Sequence, residues 1–480
     1  MKAPIPVLEK TPFALDSEPL EGHHTSRAGA GLATRIFRSL KLPGVCAANL
    51  PGHRTTRAGF SPAQYVETAC TGLLLGIERL EDLDVLRADE TLTRVVGYQA
   101  PGARAMRDFL EKFHDAELVE AARREAQENR LIAFVPEANA MHRGLLNVLA
   151  AAGRKCAERG EPKLAAATID ADATVVESWK RGATFAYTGV KGYQPVVAMW
   201  AEADAVLAAE FRDGNVPARH RPLDVVRAAF QALPAGIGSF AFRGDSACYE
   251  SGLLGWLRDE QRAGGPRGPI GFAVSAVMSP ELLAACRKIG EKQWTTLAVE
   301  SNGVLRQWAE LDFVPSDVYE QKDSKPLRYV GIRIAKSQGE LFDDGTQFKH
   351  FAICTNRDLP GGDLIDWHRA KAGTIEHVHD ELKNALAAAA MPSKHFGANA
   401  AWFLLNCIAY NLASVLRAAV PEPEFRTARI KRLRFHFFSV AGRLVRDRRK
   451  IRLRLAATRE WIGLMMRLFK KFALRTVSTG

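Results

Sequence analysis

The stretch TIDADATVV, Thr168 to Val176, sets β-branched and small residues around aspartates at alternate positions. Successive side chains on a strand point to opposite faces. Thr168, Asp170, Asp172 and Thr174 therefore share one face, and Ile169, Ala171, Ala173 and Val175 the other. Two carboxylates so spaced stand about 6–7 Å apart at the Cα. A charge beside a sheet core is costly unless it is paired or coordinates a metal. Two readings are open: an edge strand with one face in water, or a strand delivering a metal-binding carboxylate to others from elsewhere in the chain.

The flanking sequence supplies more strands. AAATIDADATVV, TFAYTGVKG and QPVVAMWAE read as three strand-like runs joined by short turns. HRPLDVVRAAFQAL reads as a helix, SFAFRGDSA as a fourth strand ending at Gly244-Asp245, and YESGLLGWLRDEQRAG as a further helix. This order predicts an α/β layer around a mixed sheet. From about Gly264 to His350 the chain is strand-rich again, with SQGELFDDGTQ as a turn. GGDLIDWHRAKAGTIEHVHDELKNALAAA then reads as a helix interrupted near Gly373, and a second long helix runs from about Asn399 to Val420. Upstream, residues 36 to about 155 have helical apolar spacing, whereas residues 1–35 look irregular.

A chain of 480 residues has room for two to four domains, and 47% hydrophobic with 25% charged residues is ordinary for a soluble protein. No uncharged apolar run reaches the ~18 residues of a membrane span. FLLNCIAYNLASVLRAAV (403–420) comes closest, but Asn406, Asn411 and Arg417 suit a buried helix better. The N-terminus lacks the apolar core of a signal peptide. Seven scattered cysteines without a CxxC predict reduced, cytosolic thiols rather than a zinc site or disulfide frame. His377 and His379, two apart on a helix, point to different sides and make a poor zinc pair.

The net charge of +12 is uneven. From Arg426 to Gly480 there are 17 basic and 2 acidic residues, a net +15, which leaves the rest of the chain at −3. DNA phosphate is the natural partner of such a segment; an anionic membrane competes. Arginine outnumbers lysine there, which favours bidentate phosphate contacts.

One Asp lies on the first strand (Asp172), another ends the fourth (Asp245), and Glu376 lies on a late helix. Three carboxylates from three elements are what a two-metal phosphoryl-transfer site needs, since hard Mg²⁺ takes oxygen ligands and an ion pair can serve both attacking and leaving oxygens.

Asp172-Ala-Thr174, Arg243-Gly-Asp245-Ser246 and Glu376 with Lys383 resemble the motifs of DDE-type insertion-sequence transposases. The likeness is to the bacterial group whose RNase H-like core is interrupted by a β-rich insertion. That group carries a D-x-T strand, an Asp ending the fourth strand, and a helix motif Y-x2-R-x3-E-x6-K. Glu376 and Lys383 keep the E-x6-K spacing, but the Tyr position holds Arg369 and the Arg position Ala372; Arg369 or Lys371 would have to supply the cation. The resemblance spans roughly Ile36 to Val420.

It implies the following division: an irregular segment (1–35), a helical DNA-binding domain (36–158), the first part of an RNase H-like core (159–263), a β-rich insertion (264–349), the second part of the core (350–420) and a basic tail (421–480). It implies hydrolysis at element ends and attack of the freed 3′-OH on target DNA. Asp172, Asp245 and Glu376 would be catalytic and hold Mg²⁺, with Mn²⁺ able to substitute. Lys383, Arg243, Arg369 and Lys371 would contact DNA. The implied partners are double-stranded DNA with terminal inverted repeats, target DNA and a second subunit, with no membrane, at the nucleoid of a bacterial cytoplasm. In related enzymes an insertion aromatic stacks on a flipped base; Trp294 and Trp308 lie in that segment but read better as core, and Cys248 as a packing cysteine. The rivals are a nuclease that cuts without joining, an inactive transposase-derived DNA-binding protein, and a small-molecule metal hydrolase, which leaves the basic tail unexplained.

Overall fold

In a computed structural model the described residues are 17–18, 20–51, 59–158, 163–299, 301, 303–315, 326–336, 341–342, 345–447 and 450–473. Their strands, in chain order, are β1 (His23–Thr25), β2 (Ala166–Ala173), β3 (Val176–Glu177), β4 (Thr184–Phe185), β5 (Lys191–Tyr193), β6 (Val196–Trp200), β7 (Ala205–Glu210), β8 (Ser239–Gly244), β9 (Ile270–Ser275), β10 (Thr295–Val299), β11 (Leu305–Leu311), β12 (Arg328–Ala335), β13 (Phe348–Thr355), β14 (Gly442–Asp447) and β15 (Lys450–Leu455).

Nine of these strands form one sheet in the order β10-β11-β12-β13-β9-β8-β2-β6-β7. β2 runs antiparallel to β6 and parallel to β8, and β8 runs parallel to β9. The stretch β7-β6-β2-β8-β9 is the RNase H-like arrangement, and the protein is a mixed α/β fold whose large sheet is flanked by helices. β2 lies in the interior of the sheet, so the edge-strand reading of TIDADATVV does not hold. Asp170 there is balanced by the Arg243 side chain rather than by bulk water.

The strand-rich segment after Gly264 does not form a sheet apart. β9 is a parallel strand of the central stretch, and β13 pairs with it through Ile353↔Ser275, Cys354↔Val274 and Thr355↔Ala273. β12, β11 and β10 then extend the same sheet antiparallel. The turn read in SQGELFDDGTQ lies partly outside the described residues. Trp294 is 7% exposed, with the Arg333 guanidinium 4.6 Å over its ring. Trp308 packs so closely on Gly361 that a Cβ there would come within 2.3 Å of its ring. Both tryptophans are packing groups.

The helix Phe396–Ala419 is long and apolar enough to cross a membrane, yet its apolar window is wholly buried in the protein. Asn411 fastens it to the sheet: Nδ2 donates to the Val206 carbonyl and Oδ1 accepts from the Val206 N–H, each at 2.8 Å. Asn411→Ala would strand both of those β7 backbone groups inside the core. The expected loss is about 2–3 kcal/mol, read as a lower urea midpoint with an unchanged slope; an unchanged midpoint would show that water reaches β7.

Packing does not divide the chain at 36, 158 or 420. Residues 23–35, read as irregular, include β1 and the start of the helix Ala30–Ser39, in which Ala30, Leu32, Ala33, Ile36 and Phe37 are fully buried; residues 1–16 lie outside the described residues. The helices Pro62–Leu75 and Ala140–Glu158 share a hydrophobic cluster with Phe396–Ala419. So do Phe437, Phe438, Leu464, Met465 and Leu468 from the basic segment. An amphipathic helix must bury its apolar stripe against something, and here helices from both ends of the chain bury theirs together.

Candidate active site

The parallel register of β2 and β8 sets the site. Asp170 pairs with Arg243 and Ala171 with Gly244, on strands about 4.8 Å apart, so continuing the register by one residue brings Asp172 beside Asp245, which follows β8. The same face that carries an opposite-charge pair thus carries a like-charge pair next to it.

The first pair is closed. Arg243 Nε and Nη2 donate to the two Asp170 oxygens at 2.7 and 2.8 Å, with Asp170 fully buried and Arg243 4% exposed. Arg243 Nη1 donates to the Trp367 carbonyl at 2.8 Å, and its guanidinium lies over the Trp367 ring. Arg243 therefore corrects the sequence expectation: its donors are taken up inside the protein, not aimed at DNA phosphate. The Thr374 hydroxyl meets Asp170 Oδ2, fixing the residue that precedes the helix Ile375–Asn384. Asp170 thereby joins β2, β8 and the helix that carries Glu376.

The second pair is open. Asp245 follows β8 and caps the 3₁₀ turn Ser246–Cys248 by accepting from the Ala247 N–H at 3.0 Å. Only glycine fits just before it: a Cβ on Gly244 would lie 2.6 Å from the Cys248 Cβ. Cys248 is buried, and burial drives its thiol well above the usual range, as expected of a packing cysteine. Asp172 Oδ1 accepts from the Ala173 N–H at 2.8 Å. Burial pushes the Asp172 carboxyl up to about 6; Asp245 and, more weakly, Glu376 push the same way, while Lys371 opposes them. Asp172 thus feels both of the other predicted carboxylates and a predicted cation. Glu376 itself is exposed, in the first turn of its helix.

A carboxyl whose folded pKa exceeds its unfolded value contributes stability that is present below the unfolded pKa, 3.8, and lost as pH rises through about 6. Without metal, Asp172→Asn is therefore expected to melt higher than the wild type at about pH 8 and level with it near pH 3–4. Thermal melts in chelator at the two pH values check this, and equal melting at both would show that Asp172 is not in the crowded environment described.

Among the described residues, no group of three or more His, Cys, Asp or Glu is gathered tightly enough to hold a metal ion. The donor set suits a hard cation, being all carboxylate oxygen with an excess of negative charge at Asp172. It is a set of neighbours rather than a closed cage. His379 is no part of a zinc pair: it is buried, its Nε2 has no partner, and burial holds its ring down to about 3.

The domain comparison decides the family. A model of the transposase DDE domain, group 1, matches residues 20–475. The chain belongs to that family. Among solved structures, the cryo-EM structure of a piggyBac transposase synaptic complex with hairpin DNA aligns at a TM-score of 0.41 and 8% identity, over 94% of this chain and 83% of that one. No curated protein matches the chain.

In this DDE transposase the remaining predicted residues fall around Asp172. Lys371 lies in the 3₁₀ turn Ala370–Gly373, between the helices Gly361–Arg369 and Ile375–Asn384. Arg369 is half-buried and, with Lys371 and Arg243, lies near His368. Lys383 Nζ donates to Thr174 Oγ1 at 2.9 Å, so the two ends of the D-x-T and E-x6-K motifs are bonded to each other.

Sequence reasoning left Asp170 either a support of the site or an alternative to Asp172, without naming Arg243 as its partner, and it missed Thr374 and His368. The His368 ring, held down to about 4 chiefly by burial, bonds the Gly244 carbonyl at 2.9 Å. A signal existed for the Asp170–Arg243 pair. D-A-D at 170–172 and R-G-D at 243–245 run in step with a constant offset of 73, which is what parallel pairing produces.

Proposed function

We propose that this chain is a DNA transposase whose Asp172, Asp245 and Glu376 hold a pair of divalent ions, Mg²⁺ or Mn²⁺. It cuts at element ends and joins the freed 3′-OH to target DNA. The observation that carries the reading is the parallel β2–β8 register, which ends at Ala171↔Gly244 and so brings Asp172 beside Asp245, the residue that follows β8; Asp245 and Glu376 both help to raise the Asp172 carboxyl. The ions, when bound, would polarise the attacking and leaving oxygens of an in-line displacement at phosphorus.

The chain's own groups do the rest. Asp172 must lose its proton to become a full ligand, so its raised pKa makes proton and metal compete there: at limiting Mg²⁺, cleavage is expected to rise with pH. Lys371 supplies positive charge where the family resemblance expects an arginine and this chain has Ala372; Arg369 holds the tyrosine position. In this reading both face a DNA phosphate, and Lys383 exchanges its bond to Thr174 for one. Asp170, Arg243 and Thr374 keep the Glu376 helix at the strand ends. The substrates are double-stranded DNA with terminal inverted repeats, then target DNA. Joining two ends calls for a second subunit, and in this reading the element is a bacterial insertion sequence whose protein acts at the nucleoid.

The test is Mg²⁺-dependent nicking of DNA spanning the flanks of the gene itself, by wild type, Asp172→Asn, Asp245→Asn and Glu376→Gln. Nicking by the wild type alone supports the triad, and joined products separate a transposase from a nuclease. End-specific binding without nicking by the wild type would favour a disabled relative and implicate Ala372 and Arg369.

A further inference from the structure

The basic C-terminal segment is not a free tail, and its charge is not spread evenly. β1, β14 and β15 form a three-stranded antiparallel sheet in that order. The register puts His24 opposite Arg443, and Arg443 opposite Arg454. Val445 lies opposite Arg452. Paired residues share a face and alternate residues return to it. Arg443, Arg452 and Arg454 therefore stand on one face with His24, and all three arginines are exposed. Leu444, Leu453 and Leu455 take the other face, where Leu455 packs against the main hydrophobic cluster.

Directly opposed like charges destabilise a strand pair, so nothing in the folding of this sheet calls for Arg443 across from Arg454. A shallow cleft of about 600 Å³ opens at this end of the sheet, where His24, Arg443 and Arg454 meet Leu20, Leu455 and Ala456, with no acidic residue in its lining. The major groove admits a two-stranded ribbon.

From these observations we propose that the β14–β15 ribbon is a docking surface for duplex DNA, with Arg443 and Arg454 as phosphate contacts. The surface is separate from the catalytic carboxylates and grips DNA whatever its sequence, because phosphate carries no sequence information. Cutting off the whole segment would not test this, since Phe437, Phe438, Leu464, Met465 and Leu468 would leave the core with it.

The experiment uses the full chain with Arg443→Gln, Arg454→Gln and the double variant. Fluorescence anisotropy on random-sequence duplex DNA, in chelator so that no cleavage occurs, gives affinity against salt concentration. Each lost phosphate contact lowers the slope of log affinity against log salt by about 0.9, so the double variant is expected to lose about 2 from the slope and each single variant about 1. Melting temperatures are expected not to fall, because a like-charge opposition is relieved. An unchanged slope with folding intact overturns the proposal. Loss of binding to phosphatidylserine vesicles, or loss of a dimer by sedimentation, with the DNA slope unchanged, overturns it in favour of a membrane or a second subunit. Binding without metal does not depend on the carboxylates, so failure here and failure of the catalytic reading are told apart.

Discussion

Asp245→Asn is expected to lower DNA strand cleavage by about a thousandfold or more while leaving duplex affinity within about twofold. Stabilisation of the transition state by bound ions is worth several kcal/mol, and each 1.36 kcal/mol is a factor of about ten in rate. The amide keeps the size of Asp245 and still offers an oxygen to the Ala247 N–H, so the turn Ser246–Cys248 should survive. It removes the Asp245 charge that acts on Asp172 at the ends of the two strands. A second readout accompanies the loss of rate: with Asp245 neutral, the Asp172 carboxyl no longer has that charge pushing it up, so its pKa should fall toward the ordinary carboxylate range. Single-turnover nicking and carboxyl titration by NMR measure the two. Wild-type cleavage by this variant would remove Asp245 from the site altogether.

Asp170→Ala is expected to destabilise the protein by about 3–5 kcal/mol, the loss typical of leaving one member of a buried ion pair unpartnered. Arg243 would keep only the Trp367 carbonyl and ring, in a position 4% exposed. The Thr374 hydroxyl would lose its carboxylate at the start of the Glu376 helix. The double variant Asp170→Leu with Arg243→Met separates stability from function. Replacing both charges by apolar groups of similar volume is often neutral or stabilising, so its urea midpoint should recover most of the loss. Cleavage should not recover with it, because the Thr374 hydroxyl then has no Asp170 carboxylate to hold it at the start of the Glu376 helix. A single Asp170→Ala variant as stable as the wild type would mean that the pair is not buried as described. Full cleavage by the double variant would mean that the Glu376 helix is held by other contacts.

What the sequence could say about this site depends on the range of the interaction. Alternation is local, so the shared face of Asp170 and Asp172 was legible, as was the end of the fourth strand at Gly244-Asp245. The order of strands and helices around them was legible too, because three antiparallel runs, a crossover helix and a fourth strand leave few arrangements of one sheet. Net charge misled in one respect. The segment after Arg426 is so basic that its apolar positions were easy to discount, yet Phe437 and Phe438 are wholly buried. The β-rich segment announced itself by composition, but that it extends the central sheet rather than founding a new one depends on the β9–β13 pairing, made across 78 to 82 residues of chain.

By itself, then, the sequence determined that two carboxylates share a strand face, that a third rides on a helix with a lysine two turns along, and that both belong to a mixed α/β fold. Only the tertiary structure decided which aspartate is which. Asp170 and Asp172 are equivalent by periodicity, and a strand carries no mark of its own register. The long-range pairing of β2 with β8 sets Arg243 beside the first and Asp245 beside the second. One carboxylate is thereby neutralised in the core, and the other is left with excess negative charge at the strand ends.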